Sequence, residues 1–176
     1  MPKYKKDVKR RISYDETLSM IDSTPNRSHK AAVAILYLTG ARPSEVSVLK
    51  KEDLTVEAGL LKISLVTRKG GIDRTLFFEL DDSFVQQIIM PYVESLPASA
   101  WLFAFKGNPD RLKHIVYQMS QKTVAPYTFR HSRLTQMAES GYTQHELMMW
   151  KGAKTMESVN DYLYKSMRVN LKKRSD

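Results

Sequence analysis

The sequence contains no cysteine. Disulfides, thiolate zinc sites and cysteine nucleophiles are therefore excluded. It also lacks any apolar run approaching the roughly 20 residues that a bilayer-spanning helix needs. The basic start MPKYKKDVKRR is not followed by the apolar stretch of a secretory signal. There is no internal repeat and no low-complexity tract. An intracellular, cytoplasmic protein that does not engage membranes is the expectation. Negative charge is also scarce, with 19 Asp and Glu against 28 Lys and Arg, a net charge of +9. That balance favours a polyanionic partner, although net charge alone is a weak indicator. What remains is 176 residues, 42% of them apolar, enough for one domain with a sizeable core.

Residues 1–11 hold six basic residues and one acid, Asp7, and read as a basic arm or linker. Ser13 and Glu16 have capping-box spacing, so a helix starts at Ser13. Residues 28–39 (SHKAAVAILYLT) are apolar nearly all round and predict a buried helix ended by Gly40. Pro43 suits the first turn of a helix over 43–49. Residues 60–67 and 74–80 are β-rich and flank a glycine-containing turn, which predicts a β-hairpin. The remainder reads as helices over 83–94, 109–121, 126–141, a segment capped by Thr143 and Glu146, and 155–167. A basic tail with Lys172, Lys173 and Arg174 follows. The fold class is mainly α with a small antiparallel β-sheet.

Four stretches carry chemistry. In TGARPSEV, Arg42 sits at a helix start, with Glu45 three residues on and able to orient it. In TRKGG, Lys69 occupies a hairpin tip, with Arg68 beside it. In YTFRHS, Tyr127 and Arg130 are spaced i and i+3 at a helix start, where anions are favoured. MESVNDYLY places Tyr162 and Tyr164 near the end of the chain. Each has an ordinary reading too: a surface ion pair, a basic turn, an amphipathic helix start, packing tyrosines.

Taken in order and spacing, these segments resemble the tyrosine recombinase (phage integrase) family over nearly the whole chain from Ile12. The segments ARPSE, FRHSR and YLY look most like the archaeal and archaeal-virus integrase branch. The resemblance implies a tyrosine recombinase catalytic-domain fold over 12–176 and a site-specific recombinase that cuts and rejoins DNA. By that resemblance Arg42 and Arg130 clamp the scissile phosphate, a task suited to the planar, bidentate guanidinium. Tyr162 attacks phosphorus to give a 3′-phosphotyrosine, and Lys69 protonates the leaving 5′-oxygen. Glu45 and His131 are supporting residues. Lys5, Lys6, Arg10, Arg11, Arg68 and Arg133 are the expected DNA contacts. No metal and no cofactor are implied. The partners are double-stranded DNA and further copies of the chain, four in a synapse, with a monomer or weak oligomer off DNA.

The chain departs from the family pattern at two positions. Tyr127 stands where the family usually has His, and it can donate a hydrogen bond but not shuttle protons near neutral pH. Ala153 follows Gly152 where a His or Trp is usual. Trp150, Lys151 or Lys154 are the candidates to supply the missing donor, Trp150 first. Tyr164 is the alternative nucleophile, but it occupies the place of a family His, which favours Tyr162. His29, His114 and His145 read as ordinary helix or surface residues. Family members carry an N-terminal helical DNA-clamping domain, and here only the basic arm precedes Ser13. The expectation is a shortened or stand-alone catalytic domain whose DNA affinity leans on phosphate contacts. The tail, with Arg168 and residues 172–174, is a candidate for docking on a neighbouring protomer. Two rival functions stay open: a degenerate DNA-binding relative without cleavage, and a basic helical DNA-binding regulator.

Overall fold

The side chains of residues 31–36 (AAVAIL) offer no polar face, so a helix carrying them belongs at the centre of a core. In the structure, a computed structural model that describes residues 10–67 and 70–163, these six residues in α2 (Arg27–Thr39) are wholly enclosed. Lys5, Lys6, Arg68, Lys69, Tyr164, Arg168 and the residues 172–174 lie outside the described residues. Helix α1 (Tyr14–Asp22) packs on α2 and begins as its sequence dictates. Ser13 Oγ accepts from the Glu16 amide at 3.1 Å, and the Ser13 amide donates to the Glu16 carboxylate at 2.9 Å. Gly40 ends α2 in the left-handed conformation, φ 61°.

Helix α3 (Pro43–Val46) is shorter than the expected 43–49. The chain leaves it to bring Ser47 and Leu49 alongside a later loop, where their carbonyls accept from Gly107 and Leu102. A three-stranded antiparallel sheet follows, β1 (Leu54–Glu57), β2 (Leu60–Leu65) and β3 (Arg74–Glu79), in that order. The predicted hairpin is β2–β3, with Ile63 opposite Leu76 and Leu65 opposite Arg74. Leu61, Ile63 and Leu65 alternate inward onto the core. Strand β1 is an addition to the sequence reading. Its turn to β2 uses Ala58 and Gly59, both at positive φ, and alanine gives no hint of such a turn.

The helix expected over 83–94 forms without a break and contains a π-helical segment. Residues Val85–Ile89 are π-helical and α4 (Met90–Glu94) continues from them. Pro91 lacks the N–H that an α-helical ladder needs there, and the Met90 amide bonds back to Val85 O. Helix α5 (Pro109–Met119) ends before Gln121 and Lys122, which turn the chain at positive φ. Helix α6 (Pro126–Glu139) crosses α2, and α7 (Gln144–Lys151) starts at the Thr143–Glu146 capping box. The final segment opens as a 3-10 turn, Met156–Val159, before residues 160–163 become helical.

Two apolar clusters organise these elements. The larger surrounds α2; the smaller joins Leu134, Met137, Ala138, Leu147 and Val159, with Tyr162 and Leu163 packed on it. Trp150 touches both clusters. The small cluster fixes where Tyr162 sits relative to α6 and α7. Among the described residues no helix is long and apolar enough to cross a membrane.

Candidate active site

Glu45 is the hub of the site, 1% exposed at the third position of α3. Its Oε2 accepts from the Arg42 amide at 2.8 Å and from Arg74 Nη2 at 3.1 Å. Its Oε1 accepts from Thr67 Oγ1 at 2.6 Å, Arg74 Nη1 at 2.8 Å and Arg42 Nη1 at 3.3 Å. Burial pushes this carboxyl up, but Arg74, Thr67 and the Arg42 amide outweigh burial and hold it at about 2. Glu45 is thus a carboxylate at any ordinary pH.

Arg42 N-caps α3 in extended conformation, half-buried, and Pro43 fixes the turn after it. Its guanidinium gives only the long bond to Glu45 among the described residues, leaving four of five N–H groups for a ligand. Arg130, one turn into α6, is 6% exposed. It donates to Gly40 O at 3.0 Å and to Lys151 O at 2.8 Å, which leaves three N–H groups. Burial, then the charge of Arg42, lower its pKa to about 10, so it stays protonated at neutral pH. Lys151, at the end of α7, donates to Ser158 O at 2.6 Å and lies 5.9 Å from the Tyr162 ring centroid. Burial lowers its pKa, and Arg130 and Arg42 add to that.

Tyr162 is half-buried, and its ring packs on His131 with centroids 5.6 Å apart. Burial raises its pKa, while Arg130 draws it down. Arg42, Arg74 and Arg130 therefore gather around one buried carboxylate, with Glu45 most tightly paired with Arg74, and Lys151 adds its charge beside Arg130 and Arg42. The positive charge left on Arg42, Arg130 and Lys151 is mutually repulsive in a water-poor corner. A phosphate bound there relieves that repulsion.

The expected site residues divide on inspection. Arg42, Glu45, Arg130, His131, Lys151 and Tyr162 come together. Trp150, the favoured substitute donor, directs its one indole N–H to Thr39 O at 2.8 Å, and its ring packs edge-on against Phe78. Ala153 is buried without a donor side chain, and Lys154 is exposed beyond it. Tyr127 is 43% exposed on the first turn of α6, while Arg130 faces inward, so the i, i+3 spacing does not bring them to one buried face. Arg133, expected on DNA, is turned into the fold. It donates twice to Tyr37 O and once to Gln136, and lies over the Tyr37 ring. Arg10 and Arg11 pair with Glu16 and Glu139.

Sequence reasoning missed Arg74 and Thr67. Arg74 alternates with Leu76 on the inward face of β3, and an inward arginine requires a buried acid. Glu45 was the acid available, so the signal was present in the strand pattern.

The description "Phage integrase family" matches residues 4–168. Tyrosine recombinase XerC of Lactobacillus delbrueckii subsp. bulgaricus is 29% identical over 154 residues, covering 80% of this chain and 51% of that protein. Tyrosine recombinase XerA of Pyrococcus furiosus is 29% identical over 152 residues, covering 80% and 52%. The archaeal relative agrees with the archaeal side of the family, and the bacterial one is equally similar. The chain spans about half the length of these curated relatives. A crystal structure of XerA recombinase shares the fold with TM-score 0.74 and 18% identity, covering all of this chain and 67% of the other. XerH bound to its difH substrate, in a pre-cleavage complex, follows at 0.68 and 16%, covering 86% and 49%. With the family description matched across almost its entire length, this chain belongs to the phage integrase family.

Proposed function

We propose that the chain is the catalytic domain, residues 12–176 behind a basic arm, of a site-specific recombinase acting on double-stranded DNA inside the cell. The observation that carries this reading is the convergence of Arg42, Arg130 and Lys151 beside Tyr162, with Glu45 held chiefly by Arg74. Arg42 and Arg130 hold the non-bridging oxygens of one phosphate. The Tyr162 oxygen attacks phosphorus, giving up its proton to solvent; the bond from phosphorus to the 5′-oxygen breaks, and Lys69 supplies the proton to that oxygen. One phosphodiester becomes one phosphotyrosine, so rejoining needs no external energy source. Lys151 takes the donor role that Trp150 and Ala153 do not fill. Four copies assemble on DNA to exchange strands. The XerH and Tn1549 integrase neighbours were solved on DNA, which supports the substrate class.

A second reading is a DNA-binding relative without cleavage, favoured by the exposed Tyr127 and by Ala153. Both are tested with duplexes randomised in sequence and nicked so that cleavage releases a short strand and traps the intermediate. A denaturation-resistant adduct that disappears in Tyr162→Phe supports the recombinase. Duplex binding with no adduct from any member of the pool supports the second reading.

A further inference from the structure

Arg74 is absent from the chemistry above, yet it is the most completely bonded cation of the cluster. Its side chain is 4% exposed. Two N–H groups grip the two Glu45 oxygens, and Nε donates to Trp150 O at 2.5 Å. Three bonds in one plane, to partners from two elements, require the guanidinium fork; a lysine ammonium has no such geometry. The place is also tightly built. A Cβ on Gly152 would stand 2.7 Å from Arg74 Nη1 and 2.9 Å from Ile72 O. A Cβ on Gly71 would stand 2.6 Å from Gly152 O, which accepts from the Ile72 amide at 2.9 Å. Thr67, where the hairpin loop leaves β2, donates its hydroxyl to Glu45 and its amide to Asp73.

From this geometry we infer that Arg74 is a positioning residue that locks the end of α7 onto Glu45 beside Thr67, and keeps Arg42 available for the phosphate. The inference rests on the reading of Arg42 and Arg130 as phosphate ligands. Two consequences follow from the bonds. First, Arg74 takes up both Glu45 oxygens at 2.8 and 3.1 Å, so Arg42 is left with one contact at 3.3 Å. Without Arg74 the buried carboxylate turns to Arg42 as its remaining cation and draws it from the substrate. Second, the end of α7 carries unpaired carbonyls, as every helix end does. Arg74 holds that of Trp150 and Arg130 holds that of Lys151. Releasing the first loosens the turn that sets both Arg130 and Lys151.

The test compares the parent with Arg74→Lys and with the double variant Arg74→Met/Glu45→Gln, which removes both buried charges and guards against simple misfolding. The first readout is hydrogen exchange of the two indole N–H groups by NMR. Trp150 exchange should accelerate at least about tenfold in both variants, while Trp101, remote from Arg74, stays as in the parent. The second is single-turnover adduct formation on a nicked duplex selected from the randomised pool. Cleavage should fall about 10- to 100-fold, the scale of a misplacement near 1 Å. Parent-rate cleavage by Arg74→Lys overturns the inference. Equal acceleration at both tryptophans overturns it too, since that reports global loosening. Should the parent itself form no adduct, the recombinase reading fails, and indole exchange still decides whether Arg74 locks α7.

Discussion

Arg74 and Arg130 donate to successive carbonyls at the end of α7, Trp150 O at 2.5 Å and Lys151 O at 2.8 Å. One arginine comes from β3 and the other from α6. The negative end of a short helix thereby becomes the junction of the site. Lys151 projects from that junction to 5.9 Å from the Tyr162 ring centroid.

The donor role proposed for Lys151 and the Trp150 bond to Thr39 O give these two neighbours separable effects on substitution. Lys151→Ala should slow adduct formation about 100-fold, the scale of one lost transition-state donor, while thermal stability changes little. Trp150→Phe should do the reverse in part: it removes the bond to Thr39 O and costs about 1–3 kcal/mol, because that carbonyl is left without its donor. Calorimetry and the nicked-duplex assay, run side by side, check the contrast. Loss of chemistry in Trp150→Phe without loss of stability would return the donor role to Trp150.

Glu45 gives the fold an acid-sensitive component. Its carboxyl is lowered from 4.5 to about 2 in the folded protein. A lowered folded value means the stabilisation is complete above about pH 4.5 and is lost as pH falls toward 2. The amount is on the order of 3 kcal/mol. Urea midpoints at pH 6 and pH 3 should therefore converge in Glu45→Gln, which is less stable than the parent at pH 6. An unchanged pH dependence in the variant would contradict the network.

Gly71 is required by close approach. Its Cβ position lies 2.6 Å from Gly152 O and 2.8 Å from Thr67 Cγ2. Gly71→Ala should cost about 1–3 kcal/mol, the scale of overpacking, and should slow cleavage with it. A thermal melt at parent temperature would show that the two loops are not held in contact.

Phosphate contacts should make duplex affinity fall steeply with salt. Arg42→Gln removes one such contact, so the slope of log affinity against log salt should decrease by about one. Arg133→Gln should leave that slope unchanged, because its guanidinium faces Tyr37 O and Gln136.

Much of this was legible in the sequence because local rules govern it. The capping boxes at Ser13 and Thr143, the glycine stop at Gly40 and the alternation of β2 all act over a few residues. Motif order singles out Arg42, Glu45, Arg130 and Tyr162, and the fold brings these four into one region. What escaped depends on distant partners or on silent backbone choices. Strand β1 hides behind Ala58 at positive φ, and the π-helical turn follows from what Pro91 cannot donate. The fates of Trp150 and Arg133 were set by carbonyls more than 90 positions away in sequence, Thr39 and Tyr37. No local pattern distinguishes an indole aimed at a ligand from one aimed at a backbone.

The nucleophile proposed here is Tyr162, through a covalent bond to DNA. Trapping on nicked duplexes with the parent, Tyr162→Phe and Tyr164→Phe tests it most directly. A denaturation-resistant adduct is expected in the parent and in Tyr164→Phe, and none in Tyr162→Phe. An adduct that persists in Tyr162→Phe and vanishes in Tyr164→Phe would contradict it.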